Sequence, residues 1–259
     1  MNRATDRFST PCYQMIIEYM QVRKSITVKR TAELCGVSDA TARRYLDNLE
    51  KRGSVKRIHG GAVLKLENGC EQAHSERMKH MILEKTRIAE RAFGMIQDGN
   101  SVFVDSGVTM LLLAKRLHHR KNLTVVTNNL DIAFQAELDK SSVMVVTGGI
   151  RRECAHLLTG QIAEHLLDKL SMDKVFLSAD AVNMDKGVFN RSFLETGIKR
   201  SALASGRQRI LLCDHTKFQR HALARICDVE DFDTILTDKG MDKETQKILD
   251  QKVKKLIVV

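Results

Sequence analysis

Apolar residues recur with helical spacing in the first quarter of the chain. Ala42, Leu46 and Leu49 stand at i, i+4 and i+7, which places them on one stripe of a helix. Ser38 precedes this stripe at an N-cap position, where its hydroxyl can accept from the unpaired amides of the first turn. Gly53 follows it and tolerates the left-handed conformation that ends many helices. The pattern therefore predicts a helix between Ser38 and Gly53.

Two further helices are predicted before this one. Thr10 and Pro11 form a cap-then-proline start, and Thr27 can cap a second helix. The apolar residues that share one face of the first helix are Tyr13, Ile16, Ile17 and Met20, and those of the second are Val28, Ala32 and Cys35. Because residues 36–38 form only a short turn, the second and third helices can cross as a helix-turn-helix, at about residues 26–46.

The segment after the third helix has the pattern of a β-hairpin. Residues 54–58 can form one strand, residues 59–61 a turn and residues 62–65 the returning strand. A helix followed by a basic hairpin is typical of a winged helix-turn-helix that binds DNA. The side chains expected to contact DNA are Ser38, Thr41, Arg43, Arg44, Tyr45, Asn48, Lys51, Lys56, Arg57 and His59. The alternative is a small helical subdomain with a solvated basic face.

The distribution of charge favours DNA binding. Residues 1–65 contain 13 Lys and Arg against 6 Asp and Glu, a net charge of +7. The whole chain of 259 residues carries +10, so the remaining three quarters contribute only +3. A concentration of positive charge in one segment is the electrostatic signature of a nucleic-acid-binding module. A membrane-surface role is less well supported, since no basic amphipathic helix with aromatic anchors is present.

Beyond a polar linker at residues 66–80, helix-like and strand-like segments alternate. The expected strands are residues 101–104, 123–127, 143–147, 174–178, 209–213, 234–237 and 255–259, with helical candidates at 110–118, 161–170 and 195–204. Strands that alternate with helices form βαβ units and a largely parallel sheet. The sequence therefore predicts two domains, a DNA-binding domain at residues 1–65 and an α/β domain at residues 81–259.

Composition excludes several classes of protein. Hydrophobic residues make up 43% of the chain and charged residues 29%, as in ordinary globular proteins, and no apolar run is long enough to span a bilayer. The polar N-terminus does not resemble a signal peptide, so we expect a cytoplasmic protein. The six cysteines form no CxxC pair and are expected to be reduced. Cys154 and His156 alone are a weak metal motif, and no metal or cofactor is predicted.

The predicted strand ends of the α/β domain carry small and polar residues. Asp105-Ser-Gly-Val-Thr109 follows the first strand, Thr127-Asn-Asn129 the second and Thr147-Gly-Gly149 the third. Ligands of open α/β sheets bind at this edge, and turns of this type can hold a phosphate. These turns match neither a Walker A loop nor GxGxxG, which disfavours ATP and NAD. With Arg152, Lys199 and Lys217 nearby, the turns favour a small anionic ligand, although each turn alone could be purely structural.

Residues 26–63 resemble the winged helix-turn-helix of the DeoR-type bacterial regulators. The resemblance rests on Ala32-Glu33-Leu34, Val37-Ser38, Thr41, Arg43-Arg44, Leu46, Leu49-Glu50 and Arg57-x-His-Gly-Gly-Ala62. One departure is Tyr45, because the family usually has Asp after the two arginines. An acidic partner for a neighbouring arginine is then lost, and Tyr45 could instead contact a phosphate or a base.

The second domain is similar to the DeoR-type effector domain, which looks like the fold of ribose-5-phosphate isomerase. Asp105-Ser-Gly-x-Thr109, Val126-Thr-Asn128, Gly148-Gly149 before Gly160, and Asp214-x-x-Lys217-Phe218 carry this similarity. It implies a phosphorylated sugar or polyol as effector, with Ser106, Gly107 and Thr109 holding the phosphate and Lys217 or Arg152 adding positive charge. The full set of expected effector-binding residues is Asp105, Ser106, Gly107, Thr109, Asn128, Gly148, Gly149, Arg152, Asp180, Glu195, Lys199, Asp214 and Lys217.

Two functions of different classes fit this sequence. The first is a transcriptional regulator, expected to be a repressor of a sugar or polyol catabolic operon that a phosphorylated sugar releases from DNA. The second is a sugar-phosphate isomerase-like enzyme with a nucleic-acid-binding module, in which Asp105, Asp180, Glu195 or Asp214 could act as a base. No recognisable catalytic constellation is present, which favours the regulator. A dimer or tetramer is expected, because helix-turn-helix proteins usually read paired half-sites.

Overall fold

The computed structural model describes residues 10–51, 54–64, 80–152, 156–218 and 220–259. The chain divides into two compact units, Met1–Asn68 and Gly69–Val259, which we call the N-terminal unit and the C-terminal unit. The helices are α1 (Thr10–Arg23), α2 (Val28–Cys35), α3 (Asp39–Lys51), α4 (Ile82–Phe93), α5 (Val108–Ala114), α6 (Leu130–Gln135), α7 (Gln161–Leu167), α8 (Thr196–Ser205) and α9 (Lys243–Lys252).

The strands number fifteen within the described residues. Those of the N-terminal unit are β1 (Ser25–Thr27), β2 (Val55–Ile58) and β3 (Gly61–Leu64). Those of the C-terminal unit are β4 (Ser101–Val104), β5 (Thr124–Thr127), β6 (Val143–Val146), β7 (Ile150–Arg152), β8 (Leu157–Thr159), β9 (Met172–Leu177), β10 (Ala181–Asn183), β11 (Gly187–Asn190), β12 (Gly206–Leu212), β13 (Ala224–Cys227), β14 (Thr234–Thr237) and β15 (Leu256–Val258).

The N-terminal unit has the order of elements of a winged helix-turn-helix. Three helices are followed by the β2–β3 hairpin, and β1 adds to β3 so that the antiparallel sheet has the order β1-β3-β2. Thr27 caps α2 by accepting the Arg30 amide at 3.1 Å, and Ser38 caps α3 by accepting the Thr41 amide at 3.3 Å. Both predicted caps are confirmed. They satisfy amides that lack a partner within the helix, and so they define where α2 and α3 begin.

The core of this unit is formed by the predicted apolar faces. The predicted positions that are buried are Tyr13, Ile16, Ile17, Met20, Val28, Ala32, Ala42, Leu46 and Leu49. Thr31 and Tyr45 are buried as well, whereas the predicted Cys35 is only half-buried. Burial of such stripes supplies most of the stability of short helices, since helices of this length are marginal in isolation. The expected helix stop at Gly53 lies outside the described residues.

A seven-stranded sheet forms the centre of the C-terminal unit. Its order is β15-β14-β12-β9-β4-β5-β6, and every neighbouring pair is parallel. All seven segments that the sequence predicted as strands lie in this sheet. Within the described residues, α4, α5 and α6 pack on one face and α7, α8 and α9 on the other. The α/β class with a largely parallel sheet is therefore confirmed.

Alternate residues of the central strands face opposite layers of helices. Val102, Val104 and Phe176 belong to the core under α4 and α5, whereas Phe103 and Val175 belong to the core under α7 and α8. Strands buried on both faces have continuous apolar sequences, which explains why runs such as residues 101–104 predicted strands without alternation.

Two small antiparallel sheets were not predicted. Strands β7 and β8 form a hairpin, and β10, β11 and β13 form a three-stranded sheet beside the main one. The segments are only three or four residues long, too short for a periodic signal. The predicted linker at residues 66–80 lies almost entirely outside the described residues. Among the helices that the structure describes, none is both long and apolar enough to cross a bilayer.

Candidate functional sites

Helix α3 presents cationic side chains on the face opposite its buried stripe. Arg43, Arg44 and Lys51 are exposed, and Thr41 is partly exposed beside them. The Ser38 and Thr41 hydroxyls lie 3.1 Å apart at the start of the helix. In a helix-turn-helix, the N-terminal part of the recognition helix contacts base edges. The expected DNA contacts of these α3 residues remain a prediction, and the structure shows that their side chains are exposed or partly exposed, unlike Tyr45.

Tyr45 and Asn48 face the core of the N-terminal unit. The Tyr45 side chain is only 5% exposed, and its ring meets the Tyr13 ring edge-on at a centroid distance of 5.2 Å. The Asn48 side-chain amide donates to the Tyr13 hydroxyl at 3.2 Å. A buried tyrosine cannot contact a phosphate or a base, so Tyr45 is removed from the proposed DNA surface. Its physical role is to join α3 to α1, and Asn48 extends the same contact.

The hairpin supplies two exposed cationic or titratable side chains. Lys56 and His59 are exposed on β2 and its turn. Arg57 is held within the unit, because its guanidinium pairs with Asp47 at 2.8 Å and also donates to the Gly61 carbonyl. The Glu50 carboxylate accepts the backbone amide of Arg57 at 2.6 Å. Arg57 therefore fixes the hairpin against α3, whereas Lys56 remains exposed.

The C-terminal unit has one topological switch point in its main sheet. From β4 the chain adds β5 and β6 on one side, then returns to place β9 on the other side of β4. The loop after β4 leads to α5 on one face, and the loop after β9 leads to the opposite face, which carries α8. We call the region at the carboxyl ends of β4 and β9, where these two loops begin, the crevice. Open α/β sheets bind their ligands in such a crevice.

A buried ion pair forms the floor of this crevice. Asp105 follows β4, and its carboxylate pairs with the Lys199 ammonium from α8, both side chains being almost fully buried. Ser178 follows β9 and donates to the same carboxylate through its amide and its hydroxyl, each at 2.9 Å. The Lys199 ammonium also donates to the Ser178 carbonyl at 2.9 Å. Two charges at this depth need such a set of partners, because unpaired ones would be strongly destabilising.

The turn after β4 lies directly above this ion pair. The Ser106 carbonyl oxygen lies 2.9 Å from the Ser178 hydroxyl, whose one hydrogen it shares with the Asp105 carboxylate, and this contact ties the turn to β9. Gly107 is exposed and has φ 110°, ψ 169°, a conformation that only glycine adopts readily. Thr109 is buried at the start of α5. A Cβ on Gly107 would be 3.8 Å from the Ser178 hydroxyl oxygen, so open space rather than packing adjoins the turn.

Asn128 contributes an unpaired buried acceptor at the end of β5, the strand next to β4. Its amide nitrogen donates to the Leu158 carbonyl at 3.2 Å, and the residue is 1% exposed. Among the residues that the structure describes, its Oδ1 has no hydrogen-bond partner. A buried acceptor without a donor costs about 1–3 kcal/mol. Such an atom at a binding edge is suited to accept a hydroxyl of a ligand.

A second group of charges lies on the other side of the crevice. Asp180 follows β9 and pairs with Arg191, whose side chain is itself exposed, at 3.0 Å. The Arg191 amide also donates to the Asp180 carboxylate at 2.9 Å. Burial alone would raise the pKa of Asp180, but Arg191 and Lys217 more than offset it and hold that pKa below its ordinary value. Asp180 is therefore ionised at neutral pH, and Lys217 is close enough to act on it.

The other expected effector residues have more varied positions. Gly148 and Gly149 follow β6. Gly149 has φ 113°, and a Cβ at this position would clash with the Thr159 carbonyl oxygen at 2.6 Å. Glu195 accepts the Asn190 side-chain amide at 2.6 Å. Asp214 is buried and caps the turn after β12 by accepting the Thr216 amide at 3.1 Å. The Arg152 side chain lies outside the described residues.

Sequence reasoning missed two residues of the crevice. Ser178 was assigned to a strand end but to no role, and Arg191 was not selected. The position of Ser178 at the carboxyl end of a predicted parallel strand is a signal that could have found it. Arg191 lies in the short β11 region, which gave no signal. Among the described residues no group of His, Cys, Asp or Glu has the arrangement of a metal site, and Cys12, Cys35, Cys213 and Cys227 do not form disulfide bonds.

Family models match both parts of the chain. Residues 13–67 match the DeoR-like helix-turn-helix domain, and residues 80–239 match the DeoR C terminal sensor domain. Among solved structures, ribose-5-phosphate isomerase in complex with phospho-erythronic acid aligns over 52% of each chain. That alignment has 14% identity and a TM-score of 0.38, which is too low to support an inference about function.

Curated relatives resemble the chain along nearly its whole length. The transcriptional repressor AccR of Agrobacterium fabrum is 30% identical over 94% of this chain and 95% of its own. The lactose phosphotransferase system repressor of Lactococcus lactis is 32% identical over 89% of this chain and 91% of its own. Together with the two domain matches, these similarities show that the chain belongs to the DeoR family of helix-turn-helix transcriptional regulators.

Proposed function

We propose that this protein is a repressor of a carbohydrate-related operon, which binds operator DNA through α3 and the β2–β3 hairpin and leaves it when a phosphorylated sugar or polyol occupies the crevice. The main support for effector binding by the C-terminal unit is the polar crevice at the switch point between β4 and β9. Relatives named as repressors, one of them of a lactose phosphotransferase system, support the sign of regulation and the link to sugars.

Three features support a polyhydroxylated anion as the effector. The crevice offers an unpaired buried acceptor at Asn128 and an ionised carboxylate at Asp180, both suited to hydroxyl groups. Ser106 and Gly107 present a hydroxyl and an open backbone turn at its mouth. Lys217, which is close enough to Asp180 to lower the pKa of that carboxyl, supplies positive charge. In this proposal the phosphate lies at residues 106–109, and the hydroxyl groups face Asn128, Asp180 and the Asp105 floor.

The buried ion pair argues against the enzymatic alternative. Catalysis of sugar-phosphate isomerisation needs a carboxylate that can take and return a proton within reach of the substrate. Asp105 is tied to Lys199 and Ser178, and Asp214 is tied to the turn that it caps. These carboxylates hold the crevice in shape. The other two candidate bases are also held by partners, Asp180 by Arg191 and Glu195 by Asn190. Because the relatives are named as repressors, we assign the C-terminal unit to effector sensing.

A thermal-unfolding screen of the full chain against phosphorylated and unphosphorylated sugars tests the effector class. A ligand that binds only the folded protein raises its stability by RT ln(1 + [L]/Kd), about 2.7 kcal/mol at 100 times Kd. We expect selective stabilisation by one or a few sugar phosphates and none by the matching free sugars. Stabilisation by free sugars alone would contradict the phosphate assignment, and conversion of the added sugar phosphate would favour the enzyme.

Arg44 and Lys56 are expected to respond differently to substitution by alanine. Arg44 is exposed on α3, so Arg44→Ala should cost about 1–3 kcal/mol on the preferred DNA sequence and relax the preference for one base. Lys56 is exposed on the hairpin, so Lys56→Ala should weaken binding to all sequences by a similar factor. Fluorescence anisotropy on selected and scrambled DNA measures both. Equal losses on the two DNAs for Arg44→Ala would remove Arg44 from base reading.

A further inference from the structure

Apolar side chains are exposed along one edge of the main sheet. Of the eight large hydrophobic residues that are exposed in the described chain, five lie between residues 134 and 162, and they are Phe134, Val143, Val146, Ile150 and Ile162. Phe134 is 87% exposed. We call these five residues the β6 patch. Such a concentration of exposed apolar surface marks an interaction site, whereas scattered single residues would not.

The five side chains surround the edge strand β6 on both faces of the sheet. Helix α6, which carries Phe134, packs against β6 in the layer of Met144. Ile162 lies at the start of α7 in the other layer, and a Cβ on Gly148 would be 3.8 Å from its Cγ2. Ile150 lies over Gly160, because a Cβ on Gly160 would be 3.7 Å from the Ile150 Cδ1 atom. The patch therefore includes side chains on both faces of the sheet at this edge.

The backbone of β6 has unpaired groups at the same edge. Val143 and Thr147 donate their amides to Leu123 and Thr127 of β5, at 2.8 and 3.1 Å. Strand residues alternate in direction, so the amides and carbonyls of Met144 and Val146 point away from β5. Among the described residues, no strand lies on that side of β6.

The two edge strands of the sheet are protected to different degrees against pairing with another strand. Charged residues, above all lysine, normally blunt an open edge strand. The far edge strand, β15, follows Lys252, Lys254 and Lys255. Neither strand contains a charged residue itself, but the nearest charges to β6 along the chain are Lys140 and Arg151, whereas Lys255 directly precedes β15. The β6 edge is therefore the less protected of the two against pairing with another strand.

We propose that β6 pairs with β6 of a second copy of this chain, antiparallel across a two-fold axis normal to the sheet, and that the β6 patch forms the homodimer interface. A two-fold operation brings a strand against itself only in the antiparallel direction. When Val145 lies opposite Val145 of the second copy, Met144 of each copy lies opposite Val146 of the other. All the outward groups of β6 then form hydrogen bonds, and the α6 helices meet on one face.

The exposed area agrees with a dimer interface. The five side chains expose roughly 400 Å² of apolar surface per copy, against about 800 Å² per partner in a typical stable interface. The paired strands and the half-buried Met144 and Val145 supply part of the remainder. A second copy is also what a helix-turn-helix protein needs in order to read two half-sites. Neither argument depends on the identity of the effector.

Cysteine cross-linking of the full chain tests the register. In the proposed pairing the Val145 Cα atoms of the two copies are about 4.5 Å apart, within the range of a disulfide. The Val143 Cα atoms are about 13 Å apart, beyond that range, although Val143 is more exposed. With oxidised glutathione as oxidant, Val145→Cys should form a cross-linked dimer, and Val143→Cys should not exceed the unsubstituted chain. Equal cross-linking of the two variants would overturn the proposal.

The mass in solution provides the second test. The unsubstituted chain should have at least twice the 29.3 kDa of one copy, and the double variant Phe134→Glu, Val146→Lys should raise the dimer dissociation constant about 100-fold. Leu83→Glu is the matched control, because Leu83 is a highly exposed apolar residue outside the patch. A double variant that remains as dimeric as the control would overturn the proposal. Neither experiment contains DNA or effector, so failure here leaves the function proposed above untouched.

Discussion

Gly107→Asp should produce a regulator that stays on its DNA at effector concentrations that release the unsubstituted protein. The change places a carboxylate in the turn at the mouth of the crevice, where the effector phosphate is proposed to bind. We expect the effector dissociation constant to rise about 100-fold, equivalent to ~2.7 kcal/mol. DNA affinity without effector should be nearly unchanged, because the turn belongs to the C-terminal unit. Calorimetry with the effector and anisotropy with DNA measure the two quantities.

Gly107→Asn is the control that this experiment needs. Gly107 has φ 110°, so any side chain at this position introduces backbone strain of about 1–3 kcal/mol. Asn and Asp introduce the same strain and have nearly the same shape. The difference between the effector dissociation constants of the two variants therefore reports the added charge alone. If the two variants bind the effector equally weakly, the phosphate lies elsewhere. If Gly107→Asp abolishes DNA binding while its fold is intact, the two units are not functionally separable. A ligand regulates only through its different affinity for the two states, so both measurements are required.

Lys199→Met should cause a large loss of stability in the C-terminal unit. The variant removes the ammonium that neutralises the buried Asp105 carboxylate, and it also removes the donor to the Ser178 carbonyl. Breaking one side of a buried ion pair typically costs about 3–5 kcal/mol, a large share of the 5–15 kcal/mol that stabilises a domain. Urea unfolding followed by circular dichroism measures the free energy of unfolding.

Two further variants separate charge from packing at this site. The double variant Asp105→Asn, Lys199→Met has no buried carboxylate without a partner. We expect this variant to recover more than half of the stability that Lys199→Met loses. Lys254→Met removes an exposed partner of Asp233 in the same unit, and its unfolding midpoint should change little. A Lys199→Met variant as stable as Lys254→Met would show that the ion pair does not hold the crevice together.

Local periodicity predicted the elements of this fold well. The seven apolar runs expected to be strands all lie in the main sheet, because strands buried on both faces need continuous apolar sequence. The caps at Thr27 and Ser38 were predictable because a cap depends on atoms three residues away. The short strands β7, β8, β10, β11 and β13 carry no such local signal, since their pairing partners determine them.

The binding surfaces were predicted less completely, because they depend on contacts between distant residues. Lys199 was expected to attract an anion, but its partner Asp105, 94 positions earlier, neutralises its charge in the crevice floor. Tyr45 was expected to be able to reach DNA, and the contact with Tyr13 on another helix buries it. In both cases the residue type could be used for a prediction from the sequence, but the direction of the side chain could not be predicted.

The sequence by itself determined the class of this protein, its two-part organisation and the strand ends from which the crevice is built. These properties follow from short-range periodicity, caps and charge, which need no knowledge of the fold. Only the tertiary structure decided which cations remain available to a ligand, which helix residues face the core, and that β6 lies at an edge of the sheet. Strand order and ion pairing join residues far apart in the chain, and no local pattern encodes which distant partner each residue meets.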